Sequence, residues 1–177
     1  MILEGKRCVL EPLRASHVKD VEAWLHDPEA NQWMLLARTA PSAQQWVADL
    51  ANAWPRHAVR AIRRRGGGPI GGIVGLFDID FLQRRAELRI VIGNPMDRGA
   101  GIGTEAVRLM VEYAFRSLDL FRVWLGTAAE NHRARACFER VGFQYEGTSR
   151  LEFLRADGQR ADNVRYAILR PDWEVLQ

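Results

Sequence analysis

Arg98-Gly99-Ala100-Gly101-Ile102-Gly103-Thr104 stands between an apolar run, residues 86–92, and a stretch in which Ala106, Leu109, Met110, Tyr113 and Ala114 recur at helical spacing. A strand therefore feeds a helix, expected over residues 102–118, through a turn with glycine at every second position. Glycines let backbone N–H groups converge on an anion at a helix N-terminus, where unpaired donors and the macrodipole both favour negative charge. Arg98 adds a side chain able to make a charge-assisted contact. A ligand-free strand-to-helix turn fits the same spacing, so the pattern alone leaves both readings open. Two nucleotide-binding folds fit poorly. A Walker A loop needs Gly-Lys-Ser/Thr, whereas Gly103-Thr104 has no lysine before the threonine; a dinucleotide fold places its glycines after the first strand of a parallel unit, whereas a long antiparallel prelude precedes these.

That prelude is read from patterning. Residues 7–13 alternate as a strand, and Ser16 caps a helix that runs to about residue 27, where Pro28 stops it, with Val18, Val21, Trp24 and Leu25 on one face. A second helix starts at Ser42, with Gln45 in capping-box position and Trp46, Val47 and Leu50 turned inward. Strands at 57–64 and 70–78 flank Gly66-Gly67-Gly68-Pro69 as an antiparallel hairpin, and a further strand covers 86–92. Downstream of the quoted turn and its helix come a strand at 121–128, a helix at 133–141 ended by Gly142, and strands at 144–154 and 164–169 around Asp157-Gly158. The order predicts an α/β fold, a sheet of mixed direction with helices on its faces.

Composition bounds the rest. A chain of 177 residues that is 47% hydrophobic fits one domain, residues 1–177, with no repeat or long linker. No apolar run reaches membrane-spanning length and the start has no signal-peptide succession, so a soluble, cytoplasmic protein is expected. The net charge of +3 is a weak field, carried mainly by arginine. Arg63-Arg64-Arg65 beside the glycine turn reads first as a solvated hairpin tip and second as a polyanion contact. Cys8 and Cys137 lack disulfide or metal spacing and are expected to be structural thiols, with no metal bound.

The spacing Arg-x-x-Gly-x-Gly at 98–103, followed by Asn131 and by Phe138-Glu139-Arg140-Val141-Gly142-Phe143, resembles the GNAT acetyltransferase superfamily. Gly142-Phe143-Gln144-Tyr145-Glu146-Gly147 is similar to the Gly-Phe-x-x-Glu-Gly signature of its ribosomal-protein and polyamine acetyltransferase branch. The likeness runs from about residue 70 to the end, and before that rests on the order of elements. It implies a mostly antiparallel central sheet splayed between strands four and five, residues 85–92 being the fourth. Acetyl-CoA, as cosubstrate, would sit in the splay against Ile90, Val91, Ile92 and Phe138, its pyrophosphate on the backbone of 98–104. Asn131 would bond the pantetheine or the strand edge, although it serves equally well as a helix N-cap. The activity implied is acetyl transfer to a primary amine: a protein N-terminus, a polyamine or another small amine. Partners expected are the coenzyme A thioester and the acceptor, with neither nucleic acid nor membrane, and a homodimer left open.

Acyl transfer builds negative charge on the carbonyl oxygen, so a backbone N–H from a bulged fourth strand near Val91 or Ile92 is the candidate oxyanion donor. An ammonium acceptor must lose a proton before attack; Glu87, in an otherwise apolar strand, is the candidate base, and a salt bridge to Arg85 or Arg89 is its alternative role. No Ser/His/Asp or Cys/His set suggests an acyl-enzyme, so direct attack in a ternary complex is expected. Many relatives carry Tyr where this chain has Phe138, which has no proton to give; the thiolate, with a pKa of about 8.5, then leaves unassisted or a water serves. Trp33 and Met34 are candidates for the acceptor pocket, or for packing over the core. A non-catalytic acyl-CoA sensing domain is the rival reading, and a nucleic-acid module using Arg63, Arg64 and Arg65 the third.

Overall fold

The computed structural model describes the chain except His26, residues 34–41 and Ala156, together with the side chains of Leu25 and Asn31. Among the described residues eight strands form one sheet in the order β1-β2-β3-β4-β5-β6-β8-β7: β1 Leu3–Glu4, β2 Cys8–Pro12, β3 Ala58–Arg64, β4 Ile70–Asp80, β5 Arg85–Ile92, β6 Arg122–Ala128, β7 Gln144–Leu154 and β8 Arg160–Leu169. Every neighbouring pair is antiparallel except β5 with β6. The mixed, mostly antiparallel sheet expected from the sequence is thus observed. β4 is buried from Ile70 through Leu76 because helices cover both of its faces, which is why its sequence runs apolar rather than alternating.

On one face lie α1 Val18–Leu25, α2 Pro28–Asn31 and α3 Ala43–Ala51, where Val21, Trp24, Ala30 and Val47 meet Val59, Ala61, Ile70 and Ile73. On the other lie α4 Ile102–Glu112, α5 His132–Val141 and α6 Arg170–Val175, with Met110, Phe138 and Trp173 in one cluster with Leu125, Tyr166 and Ile168. Met110 and Ile168 are wholly excluded from solvent, and each such side chain contributes roughly 1.5–3 kcal/mol relative to an exposed position. Among the described residues no helix is long and apolar enough to cross a membrane.

Local chemistry explains where the elements depart from the sequence reading. The first helix ends before Pro28, as expected, and Pro28 also opens the first turn of α2, where its missing N–H costs nothing, with Asp27 capping that turn through the Glu29 N–H at 3.0 Å. Ser42 Oγ accepts the Gln45 N–H at 3.1 Å, which is half of the expected capping box, and the Gln45 side chain donates forward to Asp49 at 2.7 Å. The helix expected over 102–118 is α-helical to Glu112 and then widens into a π-helical turn, Tyr113–Ser117. Two short elements had no periodicity to announce them, β1 and α6. The extra β1 makes the strand expected to be fourth the fifth. The arginine run lies at the end of the β3–β4 hairpin, with Arg64 and Arg65 exposed as a solvated tip would have them, and it carries ion pairs besides: Arg63 with Glu11, Arg64 with the buried Asp97, and Arg65 with Glu4.

Candidate active site

The parallel ladder of β5 and β6 consists of Arg85↔Arg122, Ala86↔Val123 and Glu87↔Trp124, and stops there. Both strands run on. β5 stays paired with β4 out to Ile92, and β6 stays paired with β8 out to Ala128. A wedge therefore opens in the middle of the sheet, and backbone groups on its two inner edges lack strand partners. Trp24 pins the far end of β5 from the other layer, since a Cβ on Gly93 would run into its indole ring.

Alternation along β5 separates the two candidate oxyanion donors. The Gly93 N–H bonds Gly71 O at 2.9 Å, so the antiparallel ladder to β4 takes the groups of residues 93 and 91 and turns those of Ile92 and Ile90 into the wedge. The Val91 N–H is thereby used by the sheet, and Ile92 is the donor left facing the opening. The bulge expected in this strand is also elsewhere: pairing is regular from Glu87 to Ile92, and the extra residue sits in β4 between Phe77 and Asp80, where Asp78 takes φ 46°. The Asp78 N–H bonds His57 Nδ1 and its carboxylate pairs with Arg56, which together satisfy the irregular turn.

At the end of the wedge, Gly99 and Gly101 take φ of 77° and 78°, a left-handed conformation that costs any other L-residue about 1–2 kcal/mol. Gly101 caps α4 without a side chain, and the first helical bond runs from the Glu105 N–H to Gly101 O. The N–H groups of Ile102, Gly103 and Thr104 therefore have no partner within the helix. Nothing lies within 4 Å of where a Cβ on Gly99 would be, and the space off Gly103 is bounded by Ile90 and Ile92. Open space over unpaired donors fits a pyrophosphate. Two residues that patterning had not singled out serve this loop. Arg7 lays its guanidinium along it, reaching Ala100 O at 3.4 Å. Glu105 accepts the N–H groups of Lys6, Arg7 and Cys8 at 2.7–2.9 Å, tying the β1–β2 turn to the start of α4. Burial works against the Glu105 charge, but those backbone bonds outweigh it and hold its carboxyl below the ordinary value.

Arg98 is placed differently from the expectation. Its side chain is 9% exposed and bonds Asp27, Glu29, Ile92 O and Gly93 O, while its own N–H bonds Pro95 O. Two carboxylates and two carbonyls hold the guanidinium away from the loop it introduces. Asn131 caps α5 through the Ala134 N–H at 3.3 Å and donates to Thr127 Oγ1 at 3.1 Å, so its capping role is realised. Phe138 is 4% exposed and rests against Phe143 at 6.1 Å between centroids, on the α4–α5 side.

Glu87 stands at the vertex, in the last paired register before the strands part. Arg89 grips its carboxylate at 2.6 Å and in turn lies over Phe77. Beside it Trp124 carries Arg165 on its ring face at 5.0 Å. Trp33 meets Phe153 at 6.5 Å and Arg155 at 5.8 Å, over the β7–β8 hairpin; Met34 lies outside the described residues.

Comparisons with known proteins agree with this geometry. The acetyltransferase (GNAT) domain family model matches residues 7–144. A Bacillus subtilis (strain 168) protein named "Putative ribosomal N-acetyltransferase YdaF" is 30% identical over 170 residues, 94% of this chain and 91% of that one. The spermidine N(1)-acetyltransferase of Escherichia coli (strain K12) is 34% identical over 103 residues, 58% of this chain and 54% of its own length. The crystal structure of spermidine N-acetyltransferase from Vibrio cholerae, in complex with CoA and spermine, superposes with a TM-score of 0.84 at 20% identity, covering 96% of this chain and 99% of that one. A wedge between two parallel strands, closed at one end by a glycine loop on a helix N-terminus, together with a family model spanning most of the chain, places this protein in the GNAT family as an acetyl-CoA-dependent N-acetyltransferase.

Proposed function

We propose that the chain works as one domain that transfers the acetyl group of acetyl-CoA to a primary amine by direct attack in a ternary complex. The observation that carries this is the early end of the β5–β6 ladder at Glu87↔Trp124, which leaves a backbone-lined slot leading to the glycine loop. In this reading the N–H groups of 102–104 hold the pyrophosphate, with Arg7 alongside, and the edges of β5 and β6 hold the pantetheine arm. The amine enters from the face that carries Glu87 and Trp124. Glu87, directly or through a water, takes a proton as the nitrogen bonds the carbonyl carbon; the Ile92 N–H steadies the oxyanion; the C–S bond then breaks and sulfur keeps the electron pair as thiolate. Phe138 offers no proton, so the thiolate leaves unassisted or is protonated by water.

The names of the relatives, one a ribosomal and the other a spermidine acetyltransferase, support the acceptor class proposed here: a protein N-terminus, a polyamine or another small amine. A second reading, a non-catalytic acyl-CoA sensor, is favoured by the buried Phe138 and by the hold of Arg89 on Glu87. Release of free coenzyme thiol from acetyl-CoA, screened against amines and peptide N-termini, separates the two. Turnover with at least one acceptor supports the enzyme; tight coenzyme binding with no turnover on any of them supports the sensor.

A further inference from the structure

The short helix α2 lies across the mouth of the wedge. At its start, Asp27 and Glu29 bond Arg98, which also bonds Ile92 O and Gly93 O at the end of β5. Glu29 bonds Arg133 as well, in the first turn of α5, at 2.9 Å. Just past its end, Trp33 packs on Phe153 and Arg155 of the β7–β8 hairpin. β5 forms one wall of the wedge, while α5 and the β7–β8 hairpin belong to the half of the sheet beyond the other wall, so α2 joins the two halves. A cleft of about 370 Å³ remains beneath it, lined by Pro28, Glu29, Gln32, Arg155 and Asp157.

We propose that Arg98 is a positioning residue for the acceptor: it holds α2 and the end of β5 in one fixed relation, and so sets how the amine reaches the wedge, instead of contacting coenzyme phosphate. This rests on reading the wedge as the coenzyme seat. Arg98 suits the task because its planar fork hydrogen-bonds the Asp27 carboxylate and two carbonyls at once and faces Glu29 as an ion pair, a geometry that lysine cannot reproduce. The acidic partners sit on α2, away from the glycine loop. They can be altered without touching any group that faces the coenzyme.

Two variants test this. Arg98→Lys keeps the charge and loses the fork; Asp27→Asn keeps the α2 cap, since asparagine caps as well as aspartate, and weakens the tie to Arg98. Calorimetry with coenzyme A and steady-state kinetics with the best acceptor are run on both variants, on the double variant and on wild type. The expected result is coenzyme affinity within about twofold of wild type in every variant, an acceptor KM raised roughly tenfold in each single variant, and little further loss in the double variant, because both changes break one link. Coenzyme affinity lowered tenfold or more in Arg98→Lys with Asp27→Asn silent would make Arg98 a phosphate ligand and overturn the proposal. An unchanged acceptor KM accompanied by a lower Tm would reduce the cluster to a structural tie and overturn it too. A wild type that binds coenzyme A and acetylates no amine would end the underlying reading and the proposal together, before any variant is compared.

Discussion

The two sides of the wedge are built from different material. In the proposed reading the coenzyme side is mostly one continuous stretch, residues 90–104, whose groups are backbone N–H donors and bare glycine positions, joined by Arg7 and the edge of β6. The side proposed for the acceptor is assembled from side chains on separate elements: Glu87 on β5, Trp124 on β6, Arg165 on β8, and Trp33 after α2 resting on Phe153 of β7. A site made of backbone tolerates changes of side-chain chemistry and fails when a Cβ is added. A site made of side chains holds its shape and changes specificity one residue at a time.

The sharpest way to break this contrast is Gly101→Val. It forces a β-branched residue into φ 78° and sets its bulk beside Arg7, so coenzyme affinity should fall on the order of 10³-fold, from roughly 1–2 kcal/mol of backbone strain plus lost charge-assisted bonds. Calorimetry with unchanged affinity would remove the loop from the site. On the other side of the wedge, Glu87→Gln keeps shape and removes the base; kcat should fall by about 10² with coenzyme affinity retained. A wild-type kcat would leave Glu87 as a partner of Arg89 alone.

Glu105 tests whether the coenzyme side depends on its support from the β1–β2 turn. Its carboxyl is held below the ordinary value, so its stabilising contribution is complete above the unfolded value of about 4.3 and is lost as pH falls through the lowered folded value. Glu105→Gln should therefore cost roughly 1–3 kcal/mol at neutral pH and little in strong acid, measured by urea midpoints across pH. Equal costs at both ends would mean that its charge is not what holds the turn. The smallest effect belongs to Phe138→Tyr, which should leave kcat within about threefold, under 1 kcal/mol of barrier, because the thiolate already leaves readily. A tenfold gain would show that protonation of the leaving group limits turnover.

The same division explains what could be read beforehand. The glycines at 99 and 101 carry a backbone conformation in their identity, and the turn, the helix behind it and the strand before it follow from local sequence. The splay was expected from resemblance, and its vertex at Glu87 is set by the register between β5 and β6, which no local pattern encodes. The ties of Arg98 were not legible for a similar reason: its partners Asp27 and Glu29 lie some seventy residues away, and only the packing of α2 on the end of β5 brings them within reach. Arg7 gave no signal at all, while Glu105, an acid in the first turn of a helix, offered a faint one. The choice between Val91 and Ile92 needed the ladder, since alternation alone decides which N–H faces the opening.

Direct transfer within the wedge is tested most plainly by initial rates measured over a matrix of acetyl-CoA and acceptor concentrations, with radiolabelled acetyl-CoA incubated alone as the companion sample. Attack in a ternary complex predicts intersecting double-reciprocal lines and no label left on the denatured protein. Parallel lines with stoichiometric acetyl label on the chain would contradict it, because they would require an acyl-enzyme.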